Sequence, residues 1–202
     1  QCNSLFAVGY FSKAGDKRSD RFARYWMDGL PAVTINTSTT TVCSGANVSF
    51  TATPQNGGTG PAYQWLVNGA NVGTNAATYS TNSLTNAATV QVIMTGNAGC
   101  IHPVNASSNI ITMTVQPLLT PAVSINTPFN TICAGTNAAF IATAQNAGSS
   151  PTYQWQVNGS NTGTNSNTFS STSITNNDQV RVILTTAAGG CFTSNTANSN
   201  VI

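Results

Sequence analysis

The five cysteines are the residues whose chemistry and spacing can be compared most directly. Cys43 and Cys100 lie 57 residues apart, and Cys133 and Cys191 lie 58 residues apart. Because the two spacings nearly match, the economical prediction is two disulfides, Cys43–Cys100 and Cys133–Cys191. Closing a loop of that length stabilises a fold by roughly 4 kcal/mol in the chain-entropy model. Cys2 is then the odd cysteine, and we expect it to be unpaired or bonded to a second chain.

The sequence offers no matching pattern for metal binding or catalysis. A zinc site needs closely spaced Cys or His residues, and no such spacing occurs. His102 is the single histidine. A general base needs a partner and an orienting group, and no repeated Asp, Glu or Ser motif accompanies this one. We therefore predict that the chain is not an enzyme and has no catalytic residues, no metal ligands and no cofactor.

Tryptophan is the other residue type that could bind a ligand, because its ring can stack on a sugar. Trp65 and Trp155 alternate with Tyr and Val on one side and with Gln on the other. This alternation predicts that both indoles lie in a hydrophobic core. Trp26 lies outside these strands, so surface glycans stay open as partners of that residue.

Both core tryptophans belong to a seven-residue stretch that occurs twice. Residues 63–69 read YQWLVNG and residues 153–159 read YQWQVNG, at an offset of 90. Apolar residues at alternate positions are typical of a β-strand with one buried face. The Asn-Gly pair that follows favours positive φ at both residues, as a type I′ hairpin turn requires. Each copy is therefore predicted to be a core strand that turns sharply into its neighbour.

The same offset relates most of the remaining chain. Alternating segments recur at 32–36 and 122–126, and stronger ones at 89–95 and 179–185. About seven short strands per repeat, separated by Gly, Pro and Asn, predict an antiparallel sandwich. The fold class is thus all-β, with two tandem immunoglobulin-like β-sandwich domains preceded by an N-terminal β-hairpin or strand arm. We place the arm at residues 1–30 and the domains at 31–117 and 118–202.

The combined motif CxG…YQW-x-VNG…C…SN-x-I resembles the immunoglobulin/PKD-like repeats of large secreted surface proteins of Bacteroidota. The resemblance covers roughly residues 31–202. It implies a β-sandwich module of adhesins and extracellular architecture, usually present in tandem. It brings no catalytic residues to this chain.

Charge is scarce and unevenly placed. Charged residues make up 5% of the sequence, and the formal net charge is +2. Eight of the ten charged residues precede residue 30. So small a net charge does not favour nucleic acid as a partner. No apolar run reaches the roughly 20 residues of a membrane span. With the cysteines, this predicts an extracellular or cell-surface protein.

The two repeats differ at their C-terminal ends. In the first, SNI at 108–110 continues as ITMTVQP, whereas in the second SNV at 199–201 is followed by Ile202 alone. We expect the second domain to lack most of a final strand and to expose a groove of unpaired backbone. The arm carries a strand-like run, SLFAVGYFS at 4–12, with no core of its own. Its candidate donor-strand residues are Leu5, Phe6, Val8, Tyr10 and Phe11.

Three functions compete on this reading. The first is an extracellular structural subunit of a filament, fibre or surface layer, in which copies of the chain join head to tail by donating the arm to the second domain. The second is an adhesive or spacer segment of a larger cell-surface protein. The third is a carbohydrate-binding module of a secreted enzyme. Out-of-phase apolar residues also make a protein–protein surface worth considering: Leu66, Ile93, Ile141 and Ile183.

Overall fold

The computed structural model describes residues 4–7, 23–26, 30–97, 104–129 and 131–202. Every regular element in these ranges is a β-strand, and none of them is a helix that could cross a membrane. β1 (Ser4–Ala7) and β2 (Ala23–Trp26) pair with each other in antiparallel register, which forms the N-terminal hairpin. The chain divides between Gln116 and Pro117 into two compact units, with the hairpin in the first, one residue before the boundary expected from the repeat.

The first unit contains ten short strands after the hairpin. They are β3 (Ala32–Thr37), β4 (Thr41–Cys43), β5 (Val48–Gln55), β6 (Ala62–Val67), β7 (Ala70–Val72), β8 (Thr78–Thr81), β9 (Thr89–Thr95), β10 (Asn105–Ser107), β11 (Ile111–Thr112) and β12 (Thr114–Gln116). One sheet has the order β3-β5-β8, and the other has the order β10-β9-β6-β7 with β11 also on β9. β12 pairs with β4 in parallel. Two antiparallel sheets around one core make this unit an immunoglobulin-like sandwich.

The second unit repeats this plan with fewer strands. They are β13 (Ala122–Asn126), β14 (Ala138–Gln145), β15 (Thr152–Val157), β16 (Ser160–Thr162), β17 (Thr168–Ser171), β18 (Val180–Thr185) and β19 (Thr196–Asn198). The sheets have the orders β13-β14-β17 and β16-β15-β18-β19. Within 131–202 and the preceding stretch to residue 129, no strand corresponds to β4, β11 or β12. The all-β, tandem sandwich prediction is confirmed.

Alternation along the strands determines which residues form each core. In β5 and β14 three alternate residues starting at Val48 and Ala138 are buried, and β9 and β18 show the same period. Trp65 and Trp155 are 0% exposed, as the sequence pattern predicts. The buried residues of the first core are Val33, Ile35, Val48, Phe50, Ala52, Trp65, Leu84, Ala88, Val90, Val92, Met94 and Met113. Those of the second are Val123, Ile125, Ala138, Phe140, Ala142, Ala147, Trp155, Phe169, Val180, Val182 and Leu184.

Each indole is fixed by ring contacts and one hydrogen bond. The Trp155 centroid lies 5.5 Å from that of Phe169 and 6.4 Å from that of Phe140. Its Nε1–H donates to the carbonyl of Ser166 at 2.8 Å. The first unit has the same arrangement around Trp65. Because the buried N–H has an acceptor, the large aromatic ring is accommodated without an unsatisfied polar group.

The Asn-Gly pairs form the predicted two-residue hairpins. Asn68 and Gly69 have φ of 52° and 77°, and Asn158 and Gly159 have 52° and 81°. These values are the left-handed ones that a type I′ turn needs. The asparagine also ties the turn to the neighbouring strand, because the Asn68 side-chain oxygen accepts the N–H of Thr89 at 2.9 Å.

A second asparagine in each repeat joins the two sheets. The Asn109 amide accepts the Ile35 N–H at 2.8 Å and donates to the Ile35 carbonyl at 3.1 Å. Asn200 makes the same two bonds to Ile125, at 2.8 Å and 3.1 Å. The side chain thus imitates a neighbouring strand. This pair of hydrogen bonds explains the asparagine of the SN-x-I motif. The serine before it contacts the other sheet, because Ser108 Oγ accepts the Val92 N–H.

Candidate functional site: a groove in the second unit

The first unit shows how its last strand completes the sandwich. Ile111 and Thr112 pair with β9, and the chain then passes Met113, which is 1% exposed. The Met113 N–H donates to the Ala88 carbonyl at 2.9 Å, and the Met113 carbonyl accepts the Ala87 N–H at 2.9 Å. The Met113 side chain therefore lies in the core, and both backbone polar groups of Met113 are hydrogen-bonded.

Beyond Met113 the chain crosses to the edge of β4. Thr114, Val115 and Gln116 are the parallel register partners of Thr41, Val42 and Cys43. Three further hydrogen bonds hold this strand: Thr114 N–H to the Thr40 carbonyl at 2.8 Å, Val115 N–H to Asn86 Oδ1 at 3.0 Å, and Ser44 N–H to the Gln116 carbonyl at 2.8 Å. β12 is thus a short strand that runs parallel to β4 and is also hydrogen-bonded to the turn at 86–88.

The second unit contains the beginning of the same path. Ile202 exchanges two hydrogen bonds with Val180, at 2.8 Å and 3.0 Å, as expected if it corresponds to Ile111 on Val90. A groove of about 550 Å³ lies beside Ile202, in the region that corresponds to the position of Thr112–Gln116 in the first unit.

Apolar core atoms form part of the groove wall. Ala138, Phe140 and Val180 are buried core residues that also line it, and Phe129 is 70% exposed at its margin. Residues from the turns on either side complete the lining: Thr127, Thr131, Ile132, Cys133, Ala134, Gly135, Thr172, Ser173, Ile174, Thr175, Asn176, Asn177, Asp178 and Ile202. Exposed apolar surface in a β-sandwich core is costly in water.

The groove also presents unpaired backbone groups. By the offset of 90, Asn176, Asn177, Asp178 and Ala134 correspond to the residues that bind the last strand of the first unit. Across the part of the chain that the structure describes, the Asn177 N–H, the Asp178 carbonyl, the Asn176 amide and the Ala134 N–H make no hydrogen bond within the chain. An edge of this kind is a template for another strand.

One carboxylate stands at the rim of the groove. Asp178 replaces the buried Ala88 of the first unit, and its Oδ2 accepts the Thr175 N–H at 2.7 Å and the Thr175 hydroxyl at 3.0 Å. The Asn158 amide donates to Oδ1 at 2.7 Å. These bonds, the one from the Thr175 backbone first, lower the pKa of Asp178 because they favour the charged form. The carboxylate therefore holds the turn at 175–178 in place.

The structure corrects the predicted pairing of Cys133 with Cys191. Cys133 is a free, exposed thiol at the groove, whereas Cys191 is disulfide-bonded. The Cys191 carbonyl accepts the Leu119 N–H, ahead of β13, whereas Cys133 follows the end of that strand. Five residues of strand span about 17 Å, and a disulfide needs Cα atoms within about 7 Å. Equal sequence spacing in the two repeats did not show that these residues lie at opposite ends of the unit.

Other candidate residues are only partly described. Cys43 is disulfide-bonded, whereas its predicted partner Cys100 lies outside the described residues, as do Cys2 and His102. Leu5 and Phe6 lie in β1, whereas Val8, Tyr10 and Phe11 fall outside the described ranges. For Trp26 the structure describes only the strand position. The described residues contain no cluster of three or more His, Cys, Asp or Glu that could hold a metal.

The suspected protein–protein surface receives limited support. Ile141 is 52% exposed, whereas Leu66, Ile93 and Ile183 are half-buried on the outer faces of their sheets. Sequence reasoning missed the groove residues Phe129 and Asp178. The signal was available, because they stand where the first repeat has Thr39 and Ala88.

Comparison with known proteins finds distant matches among solved structures. No family model matches the sequence, and a search of curated proteins finds no relative. Among solved structures, the chain is similar to the fibronectin(III)-like modules of Clostridium thermocellum CbhA, with 16% identity, coverage of 83% of this chain and 92% of that one, and a TM-score of 0.38. It is also similar to the N-terminal eight Ig domains of Down Syndrome Cell Adhesion Molecule, with 10% identity, 86% and 27% coverage, and a TM-score of 0.46. It is similar as well to the human OSCAR ligand-binding domain, with 14% identity, coverage of 86% of this chain and 98% of that one, and a TM-score of 0.33. At these identities the likeness concerns the fold, and the assignment here rests on the sheets described above.

Proposed function

We propose that this protein is an extracellular structural subunit whose copies join head to tail. In this proposal the N-terminal arm of one copy supplies a β-strand to the groove of the second unit of the next copy. The observation that carries it is the groove itself, because the first unit has a strand where the second has exposed core and unpaired backbone. Adding a strand to an open sheet edge satisfies that backbone and buries the apolar wall.

Two further observations support a structural role. Disulfide-bonded cysteines are typical of an oxidising compartment, and Cys43 and Cys191 are both bonded. A contact between one end of a chain and a different surface of the next copy is heterologous, so it generates an open filament unless the rotation closes. The PKD-like, Bacteroidota-type resemblance of the motifs belongs to the same proposal, since such repeats build extracellular architecture.

Deleting residues 1–12 tests the proposal. Polymers seen by electron microscopy and sedimentation of the intact protein should disappear, and circular dichroism should still show a folded β protein. Because the deletion also removes Cys2, a Cys2→Ser variant is the matched control and should assemble normally. If the shortened chain still polymerises, or the intact protein is a stable monomer, strand donation by the arm is wrong. If Cys2→Ser alone abolishes assembly, the joint is a disulfide.

The second candidate is an adhesive or spacer segment of a larger cell-surface protein. The pairing of Ile202 with Val180 favours it, because a chain that continued along this path would enter the groove directly. The native mass of the secreted protein distinguishes the two functions, since a much larger chain supports the spacer. A carbohydrate-binding module is the third candidate, and glycan binding that is lost in Trp26→Ala with folding intact would support it.

A further inference from the structure

We propose that the hairpin turn of the first unit is a site of self-modification, at which the Asn68–Gly69 pair converts the Asn68 side-chain amide to a carboxylate. The reaction class is intramolecular deamidation, with water as the co-reactant. The same pair in the second unit, Asn158–Gly159, is held against this reaction by Asp178. Each turn lies within its own unit, so this chemistry is independent of how copies of the chain join.

The reaction starts from the backbone nitrogen that follows the asparagine. Gly69 N loses its proton to solvent base and attacks Cγ of Asn68, so that an N–C bond forms and an oxyanion develops on Oδ1. The Cγ–Nδ2 bond then breaks, and the leaving group takes a proton from water and departs as ammonia. Water opens the resulting succinimide ring, which gives aspartate or isoaspartate according to the carbonyl attacked. Glycine favours the first step because it has no side chain to hinder the nitrogen.

The turn at Asn68 presents the groups that this step needs. Asn68 and Gly69 are both exposed, and no heavy atom lies within 4 Å of the position that a side chain at Gly69 would take. Thr89 N–H donates to Asn68 Oδ1 at 2.9 Å. A backbone N–H aimed at the oxygen where charge develops stabilises the oxyanion. Within the described part of the chain, Asn68 Nδ2 has no hydrogen-bond acceptor, so the leaving group is not retained.

The turn at Asn158 holds both ends of its amide. Gln179 N–H donates to Asn158 Oδ1 at 2.9 Å, and Asn158 Nδ2 donates to Asp178 Oδ1 at 2.7 Å. The side chain must break the bond to this carboxylate before Cγ can turn toward Gly159 N. Hydrogen bonds to charged groups are the stronger ones, and the loss of one slows such a step by about tenfold or more.

The first unit has no group that could protect its turn in this way. The residue at the position of Asp178 is Ala88, which has no side-chain acceptor and is 2% exposed. The local sequences are almost the same, Val-Asn-Gly-Ala and Val-Asn-Gly-Ser. Each asparagine also donates its backbone N–H to the neighbouring strand, at 2.9 Å in the first unit and 2.8 Å in the second. The two turns are therefore a matched pair in which one has a carboxylate beside the amide.

The third Asn-Gly pair of the sequence, Asn56–Gly57, provides a second comparison. Asn56 Nδ2 donates to the Leu30 carbonyl at 3.1 Å, and Gly57 is buried. A side chain at Gly57 would meet the Met94 sulfur at 3.0 Å. The leaving amide is therefore held and the attacking nitrogen is shielded from solvent base, so we expect this pair to react more slowly than Asn68–Gly69.

The products also differ between the two turns. Aspartate at position 68 keeps an oxygen acceptor for the Thr89 N–H. Aspartate at position 158 would place a carboxylate oxygen where Nδ2 now lies, 2.7 Å from Asp178 Oδ1, and like charges this close repel. Asn68→Asp should therefore leave the melting temperature of the first unit nearly unchanged, whereas Asn158→Asp should lower that of the second. Adding Asp178→Asn to Asn158→Asp should restore it, because the amide and the carboxylate then exchange places.

Peptide mapping by mass spectrometry, after the folded protein has been incubated at mildly alkaline pH, tests the proposal. Asn68 should be converted to the acid about tenfold faster than Asn158. The same protein, reduced and unfolded in urea, is the matched control, and there the two rates should become similar because the local sequences nearly match. Separation of aspartate from isoaspartate identifies the succinimide route, since direct hydrolysis of the amide gives aspartate alone.

Asp178→Ala tests the protecting carboxylate, because it reproduces the residue that the first unit has at this position. In this variant the rate at Asn158 should rise towards that at Asn68, and the rate at Asn68 should stay constant. Circular dichroism establishes whether the variant is folded, and the comparison of Asn68 with Asn158 in the parent needs no substitution. Equal rates at the two asparagines in the folded parent, or an Asn158 rate that a folded Asp178→Ala variant leaves unchanged, would overturn the proposal.

Discussion

At the scale of single residues, the two core indoles contribute most to the stability of each unit. We expect Trp65→Ala and Trp155→Ala each to lower the free energy of unfolding by roughly 3–5 kcal/mol, because each leaves a large cavity among aromatic rings. Urea unfolding measures the change. Trp155→Phe should lower it less, since it keeps the ring contacts and loses the bond to Ser166. Alanine variants as stable as the parent would show that the rings do not support the core.

Asp178 should make the second unit sensitive to acid. Its pKa is lowered in the folded state from the ordinary value of 3.8. The stabilisation it provides is therefore present above the unfolded pKa and is lost as the pH falls through the folded one. The difference in melting temperature between the parent and Asp178→Asn, followed from about pH 5 down to about pH 2, should shrink. A constant difference would mean that the charge has no part in holding the turn.

At the scale of elements, the side chains of Asn109 and Asn200 join the two sheets of their units. Asn109→Ala and Asn200→Ala each remove two hydrogen bonds to one strand residue, Ile35 or Ile125. Each should lower the free energy of unfolding by about 1–3 kcal/mol, because the strand backbone loses its partners. The measurement is denaturant unfolding of these two variants, with Asn82→Ala at an exposed position as the control. Similar stability of all three variants would show that the asparagine side chains do not join the sheets.

The parallel strand pair is the element that distinguishes the two units. Met113, directly before β12, lies in the first core and Val115 of β12 packs against it, whereas in the second unit Ile202 pairs with Val180 and is 37% exposed. The turn and strand motifs that the repeats share therefore lie beside the β4–β12 pair in the first unit and beside a groove in the second.

At the scale of the whole molecule, the two units should unfold at different denaturant concentrations. The second should unfold first, because part of its core wall is exposed and its edge is unpaired. Each unit has one core tryptophan, so in a Trp26→Phe background the Trp65→Phe and Trp155→Phe variants report the second and first unit, respectively, by fluorescence. Assembly should raise the stability of the second unit selectively, since a strand that binds only the folded groove stabilises it by mass action. A single coincident transition in the unassembled protein would contradict this order.

The sequence alone determined the elements and their faces. Alternation identified the strands that carry Trp65 and Trp155, and the Asn-Gly pairs identified the hairpins that follow them. These features are local, because side-chain direction in a strand and backbone conformation in a tight turn depend on two to four neighbouring residues. The missing final strand of the second unit, expected from the repeat alignment, stays a prediction.

Only the tertiary structure decided which distant residues meet. It showed that Cys133 is free although its spacing to Cys191 matched the other pair, and that Asn109 binds Ile35 across 74 residues of sequence. It also showed that β4 and β12 pair in parallel. Such contacts depend on how two twisted sheets stack and at which end of the sandwich each loop emerges. The alternation of buried residues along a strand encodes neither the stacking of the sheets nor the position of the loops. The same alternation is compatible with a loop at either end of the sandwich and with either strand direction.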